Sequence, residues 1–280
     1  MTSDVRTATT RTDPVSDEPT SADHDPEDAT DIEDDAADDG ALPPLDPVDR
    51  EAALELLEHG EMDVEGRMPW SSNATFLVHL HGDAGTVRAI YKPARGERPL
   101  WDFPEGLYRR EVAAYELAKW LGWDMIPPTV GRDGDFGVGS VQLFVDADFE
   151  QHHFTLVEDE VHHPQLRRMC AFDLLANNTD RKSGHCLIDH DGHIWGIDQG
   201  LCFSPDWKLR TVIWEFGGEP IDEELLADVS RLAEEGVPES LQELLSRDET
   251  AALWHRAMDW ADRGVFPIDA TGRRYPWPLV

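Results

Sequence analysis

Two stretches in the first half of the chain have the apolar content and spacing of β-strands. Residues 74–80 and 86–92 are rich in β-branched and aromatic side chains, which favour a pleated, half-buried surface. Residues 81–85, HGDAG, lie between them and have turn chemistry. The pattern predicts two consecutive strands, and Pro93 ends the pairing of the second because proline has no amide hydrogen to donate.

Helical spacing of apolar residues occurs on both sides of these strands. Asp46 or Asp49 can cap a helix that runs to about His59, since an aspartate side chain accepts hydrogen bonds from the free amides of a first turn. Residues 108–121 show a second helical pattern, which ends at Gly122. Glycine favours the left-handed conformation that closes many helices.

The second half of the chain has a mainly helical pattern. Residues 140–145 predict a short strand, and residues 166–177 predict a helix. Two short strands at 186–188 and 193–197 are separated by DHDG, a sequence typical of a hairpin turn. From Asp222 onward, three apolar stripes at helical spacing predict helices.

Strands with one helix, followed by helices with one hairpin, predict an α+β fold with two lobes. We place the N-lobe, rich in strands, at residues 44–145 and the mainly helical C-lobe at 146–280. Residues 1–43 have few large apolar side chains, and 16 acidic residues stand against 3 arginines through Arg50. Such a segment cannot offset its chain entropy by burial. We therefore expect a disordered acidic tail, either a docking tail or a solubilising leader.

Charge and composition exclude several classes of protein. The 280 residues include 24 Lys and Arg against 58 Asp and Glu, a net charge of −34, which argues against nucleic acid and anionic membrane surfaces as partners. Three cysteines without a C-x-x-C pair indicate neither a disulfide framework nor a zinc site. The sequence has neither an apolar run of about 18–20 residues nor the apolar core of a signal peptide. We expect a soluble, cytoplasmic protein without stable membrane association.

Two charged residues in the first half are candidates for binding an anion. Lys92 shares a face of its predicted strand with Ile90. If Ile90 faces inward, the lysine ammonium needs a phosphate or a carboxylate as its partner; otherwise it is a solvated edge lysine. Glu111 lies in the first turn of the next helix, on its packing face, where it can meet Lys92. Glu116, on another face of that helix, is the rival acid.

A polar loop at residues 177–185 joins a predicted helix to a predicted strand. Asp180 can accept a proton from an attacking hydroxyl or orient it, and Lys182 can neutralise a transferring phosphoryl group. His185 can ligate a metal or orient Asp180. The alternative is a capped connection with local turn bonds. Asp198, after the hairpin, is the best candidate for a Mg²⁺ ligand; its alternative is a turn aspartate.

The order of these charged sites matches the parts needed for phosphoryl transfer. A strand lysine is followed after 19 positions by a helix glutamate, and a loop aspartate is followed after 18 positions by a second aspartate. The chain resembles the phosphatidylinositol 3-/4-kinase-like branch of the protein-kinase-like superfamily, and within it a group of actinobacterial proteins, over residues 62–220. The resembling strings are AIYKP (89–93), YRREVAAY (108–115), NTDRK (178–182) and GIDQG (196–200).

The resemblance implies a bilobal kinase-like fold with ATP and Mg²⁺ or Mn²⁺ between the lobes. Lys92 would hold the α- and β-phosphates, Glu111 would hold Lys92, Asp180 would be the catalytic aspartate and Asp198 would take the metal. The phosphates would be covered by backbone amides of the turn Ser71-Ser72-Asn73. The residues expected to face the base are Ile90 on the lysine strand and the hinge strand at 142–145, including Gln142 and Phe144.

Two positions depart from the usual kinase pattern. His185 stands five residues after Asp180, where kinases usually have asparagine, and imidazole suits softer metals than Mg²⁺. Either the second ion is lost, or Mn²⁺ is preferred, or His185 has another role. Gln199 replaces the aromatic residue of the usual D-F-G triplet.

The expected activity is ATP-dependent phosphorylation of a hydroxyl group on an unidentified small-molecule, lipid or protein acceptor. One alternative is a nucleotide-binding module without catalysis. Another is a nucleotidyl transferase that binds the nucleotide inverted in the same cleft.

Overall fold

The computed structural model describes residues 48–69, 71 and 73–280, so the predicted tail at residues 1–43 lies outside the described residues. Helix α1 (Arg50–His59) begins at one of the two predicted caps. The carboxylate of Asp49 accepts a hydrogen bond from the amide of Ala52 at 2.9 Å. Leu56 and Leu57 are buried on the inner face of this helix.

A five-stranded antiparallel sheet forms most of the first half, in the order β1-β2-β3-β5-β4. The strands are β1 (Glu61–Arg67), β2 (Phe76–Gly82), β3 (Gly85–Pro93), β4 (Thr129–Gly134) and β5 (Gly137–Leu143). Helix α2 (Tyr108–Leu121) follows β3 and ends at Gly122, which adopts the predicted left-handed conformation with φ 76°. The sheet and α1 enclose an apolar core that includes Val78, Leu80, Ala89, Tyr91 and Val141.

Alternation along β3 decides which side chains face away from that core. Ala89 and Tyr91 are fully buried in it, and successive side chains of a strand point to opposite faces. Ile90 and Lys92 therefore share the other face. The register places Ile90 opposite Gln142 and Lys92 opposite Ser140 on β5, so the strand of Lys92 pairs directly with the first residue of the predicted hinge.

The second half is mainly helical, with one two-stranded hairpin. Its elements are α3 (His153–Leu156), α4 (His163–Ala176), β6 (Cys186–Ile188), β7 (Ile194–Gly196), α5 (Glu223–Glu235), α6 (Glu239–Leu244) and α7 (Arg247–Arg263). Their apolar faces form a second, larger core around Leu166, Phe172, Val229 and Leu253. The predicted α+β class is confirmed, whereas the lobe boundary at 145/146, which falls between β5 and α3, stays a prediction.

Strands β1 and β4 were not predicted from the sequence. Strand β1 has the sequence EMDVEGR, and only Met62 and Val64 are even half-buried. Strand β4 reads TVGRDG, with two glycines. Both are edge strands, so one side of each lies free and apolar alternation is weak.

Helix α2 is tied to the helical part as well as to the sheet. Arg110 forms a buried ion pair with Glu249 in the first turn of α7. Just beyond the end of α2, the indole of Trp123 donates to Asp228 on α5 at 2.8 Å. Among the described helices, none is long and apolar enough to cross a bilayer.

We expect Glu249→Gln to lower the free energy of unfolding by about 3 kcal/mol, because it leaves the buried guanidinium of Arg110 without a countercharge. The same carboxylate accepts the amide of Ser246 at 2.8 Å in a capping box. Asp248→Asn, in the same turn but exposed, is the matched control and should cost less than about 1 kcal/mol. Urea unfolding measures the free energy of unfolding of both variants. Equal losses in the two variants would contradict a stabilising role of the Arg110–Glu249 pair.

Candidate active site

The structure brings Lys92, Glu111 and Asp198 into contact. The ammonium Nζ of Lys92 lies 2.6 Å from Oε1 of Glu111 and 3.0 Å from Oδ1 of Asp198. Burial disfavours the lysine charge, but the two carboxylates outweigh it and raise the pKa of Lys92 above 10.5. The same ammonium holds the pKa of Asp198 well below 3.8. Lys92 and Asp198 are therefore both charged at neutral pH.

Glu111, rather than its rival Glu116, is the partner of the strand lysine. Glu111 is 4% exposed, and its second oxygen accepts the amide of Gln199 at 2.8 Å. Glu116 lies 3.5 Å from Lys119 on its own helix. The buried carboxylate of Glu111 therefore joins helix α2 to strand β3 and to the segment that follows β7.

Asp180 and Lys182 face the same cavity from the loop after α4. Nζ of Lys182 lies 3.2 Å from Oδ2 of Asp180. Burial raises the pKa of Asp180 above 3.8, although the ammonium of Lys182 opposes this shift. The amide of Asp180 donates to the side chain of Asn178 at 3.0 Å, so the loop has the local turn bond of a capped connection and still presents the carboxylate.

His185 contacts Asp198, not Asp180. Its Nε2 lies 3.4 Å from Oδ2 of Asp198, and its Nδ1 accepts the amide of Lys182 at 3.4 Å. Burial lowers the pKa of His185 to about 4, so the ring is neutral near pH 7. With Nδ1 as the acceptor, Nε2 carries the proton and lies in contact with the carboxylate of Asp198. The metal-ligating role predicted for His185 stays a prediction.

A buried ion pair beneath the loop holds these groups in place. Arg181 and Asp173 are both fully buried, and Nη2 of Arg181 donates to Oδ1 of Asp173 at 2.9 Å. Nη1 also donates to the carbonyls of His185 and Ile197, at 3.2 and 3.0 Å. Sequence reasoning missed this pair. The signal was Asp173 within the otherwise apolar run AFDLLA of a helix, where a carboxylate needs a buried partner.

A cavity of about 600 Å³ lies between the sheet and the loop of Asp180. Its lining includes most of the predicted site residues: Ser71, Ile90, Lys92, Glu111, Gln142, Phe144, Asp180, Lys182, His185 and Asp198. Ser72 lies outside the described residues. Two uncharged lining side chains also bind within the protein: Ser71 shares a hydrogen bond with Thr75 at 2.7 Å, and the side-chain amide of Gln142 donates to Thr129 at 2.8 Å.

The donor atoms of this cavity suit a hard cation that keeps phosphate and water ligands. In the described part of the chain, no three His, Cys, Asp or Glu side chains form a ready metal cluster. Asp198 is half-exposed toward the cavity. Mg²⁺ is usually bound through one or two carboxylates together with substrate phosphates, so a single anchored aspartate fits this ion.

Comparison with solved structures gives matches with low sequence identity. The structure of hydra Fam20 with sugar matches with a TM-score of 0.47 and 15% identity, over 75% of this chain and 86% of that one. The Helicobacter pylori proinflammatory kinase CtkA matches with a TM-score of 0.45 and 9% identity, over 75% of this chain and 94% of that one. No family model matches the sequence.

One relative is similar along nearly its whole length. Protein Rv2133c of Mycobacterium tuberculosis (strain ATCC 25618 / H37Rv) is 39% identical over 260 residues, which cover 80% of this chain and 94% of that protein. Identity at this level over this length shows common descent. The chain described here therefore belongs to the family of protein Rv2133c.

Proposed function

We propose that this protein is an ATP-dependent phosphotransferase of the phosphatidylinositol 3-/4-kinase-like type, which phosphorylates a hydroxyl group on an acceptor molecule. The proposal is carried by one observation: Lys92 bridges Glu111 and Asp198 in the wall of a cavity that also receives Asp180. These are the parts that position and neutralise a triphosphate in phosphoryl transfer.

The phosphates would lie beside Lys92. Its ammonium is held in the charged state by two carboxylates and is still 23% exposed to the cavity, so it can also contact a phosphate oxygen. Asp198 would hold a bound Mg²⁺ or Mn²⁺, which supplies positive charge beside the transferring group. Neutral His185 would keep the carboxylate of Asp198 in orientation.

The adenine ring would lie against the apolar end of the cavity. Ile90, Phe144 and Leu187 line this part of the site. Phe144 is fixed at the end of β5, because its amide donates to the carbonyl of Arg88 at 3.0 Å, and the Arg88 guanidinium lies 5.0 Å from the centre of its ring. An apolar slot lined by an aromatic ring suits a purine base.

Asp180 would orient the acceptor hydroxyl and take its proton. As the acceptor oxygen bonds to the γ-phosphorus, the bond from that phosphorus to the bridging oxygen breaks, and ADP leaves with the electron pair. Lys182, 3.2 Å from Asp180, would balance the charge that gathers on the transferring oxygens. Most of the rate then comes from positioning and from fixed charges.

A nucleotide-binding module without catalysis is the second candidate. It is favoured by His185, which stands where kinases supply a metal-binding amide and whose Nδ1 accepts the amide of Lys182. Thermal stabilisation by nucleotide without phosphate transfer to any acceptor would support this candidate. Measurable transfer would exclude it.

We expect Lys92→Met and Asp198→Asn each to lower ATP turnover at least about 100-fold, because each removes a charge that faces the phosphates. Release of ADP in a coupled assay measures the change. Lys119→Met, on the exposed surface of α2, is the matched lysine control and should retain wild-type turnover. Equal turnover by the wild type and the Asp198→Asn variant would refute the metal role of Asp198.

The pH profile of turnover should fall on the acid side as Asp180 becomes protonated. A base acts only when ionised, and burial raises the pKa of Asp180 above 3.8 while Lys182 lowers it. The nearby charges of Asp198 and Arg181 act on it as well. Lys182→Met should therefore move the acid limb to higher pH, and Asp180→Asn should lower kcat about 10²- to 10⁴-fold.

Two further profiles identify the group responsible. His185→Gln should keep the limb, because His185 contacts Asp198 rather than Asp180. A limb that is unmoved by Lys182→Met, or lost in His185→Gln, would contradict the assignment to Asp180.

A further inference from the structure

We propose that Gln199 is a positioning residue, which holds Asp198 and the loop of Asp180 in one arrangement through its buried amide group. This inference rests on the proposed function, because it concerns the geometry of the same cavity. Gln199 is fully buried and touches neither the cavity nor a substrate position. Gln199 would therefore act only through the residues to which it is hydrogen-bonded.

The side-chain oxygen of Gln199 accepts hydrogen bonds from two residues of the loop that carries Asp180. Its Oε1 accepts from Nη2 of Arg181 at 3.1 Å, from Nδ2 of Asn178 at 3.3 Å and from Sγ of Cys202 at 3.5 Å. Arg181 and Asn178 flank Asp180 within that loop. One buried oxygen therefore accepts from residues close to Asp180 on both sides.

The other polar groups of Gln199 are also satisfied. Its Nε2 donates to the carbonyl of Ile197 at 3.2 Å, and its backbone amide donates to Glu111 at 2.8 Å. These two bonds flank Asp198 along the chain. The same residue thus links the loop of Asp180, the segment of Asp198 and the glutamate that holds Lys92.

The backbone of Asp198 shows why the segment needs such anchors. Asp198 has a φ of 58°, in the left-handed region that residues other than glycine rarely adopt. A strained residue of this kind persists only when its surroundings fix it. Bonds from Gln199 on one side, and from the Ile197 amide to the carbonyl of His185 at 3.0 Å on the other, provide that constraint.

An apolar or aromatic side chain at position 199 cannot form these hydrogen bonds. It would leave the guanidinium of Arg181 and the amide of Asn178 without one acceptor each, in a site that water does not reach. Space is also short, because a Cβ on Gly196 would lie only 3.3 Å from Nε2 of Gln199. The polar network replaces the aromatic packing expected at this position.

The test compares four proteins: the wild type, Gln199→Leu, Gln199→Glu and the control Gln165→Leu. Gln165 also makes two side-chain bonds, donating to the carbonyl of Gly192 at 3.0 Å and accepting the amide of Ile194 at 2.8 Å, but it lies outside the cavity lining. For each protein, the affinity for ADP without metal, the affinity of the ADP complex for Mn²⁺, ATP turnover and urea unfolding are measured.

We expect Gln199→Leu to weaken Mn²⁺ binding about 10- to 100-fold, the range found when a group that orients a metal ligand is removed. Metal-free ADP should bind as to the wild type, because the contacts of Lys92 and the apolar slot remain. Gln199→Glu should keep more Mn²⁺ affinity than Gln199→Leu, since a carboxyl oxygen at this position still accepts from Arg181 and Asn178. Gln165→Leu should lose stability without any loss of Mn²⁺ affinity.

The outcomes separate this inference from the proposed function. If Mn²⁺ affinities follow the expected order but no protein turns over ATP, the positioning role stands and the phosphotransferase proposal fails. Equal Mn²⁺ affinity and turnover in Gln199→Leu and Gln165→Leu overturn the positioning role. A wild type that binds neither ADP nor Mn²⁺ overturns both. If Gln199→Leu does not fold, Gln199→Asn, whose amide is one methylene too short, takes its place with the same expected loss.

Discussion

The buried pair of Arg181 and Asp173 is the constraint on which the geometry of the cavity depends. Burying two charged side chains away from water lowers stability unless each one has several hydrogen-bond partners. The guanidinium of Arg181 has four: Asp173, two backbone carbonyls and the Gln199 side chain. Those carbonyls belong to His185 and Ile197, on the two segments that reach the cavity. The need to satisfy one arginine therefore aligns the loop of Asp180 with the segment of Asp198.

The sheet forms the opposite wall of the cavity, and the alternation of side chains along β3 determines which residues face it. Burial of Ala89 and Tyr91 turns Ile90 and Lys92 toward the cavity, and Glu111 joins this wall to the Asp198 segment through the Gln199 amide. Local alternation thus sets one wall and long-range polar bonds set the other. The contact between Lys92 and Asp198 spans 106 positions of sequence, and it is the place where the two walls meet.

The sequence predicts the parts of this molecule that depend on local patterns. The bounds of α2 follow from its apolar spacing and from Gly122, and the pairing of Lys92 with Glu111 follows from the faces of one strand and one helix. The edge strands β1 and β4 were not predicted because several positions of each are exposed, so their sequences lack a clear apolar alternation. The Arg181–Asp173 pair and the contact of His185 with Asp198 depend on how distant segments pack, which no window of sequence contains.

The anchoring of α2 has a consequence for movement of this helix. The helix is fastened to α7 through Arg110 and Glu249 and to the Asp198 segment through Glu111, so an outward movement would have to break both contacts. Such a movement would leave a buried charge without its partner, which costs about 3–5 kcal/mol.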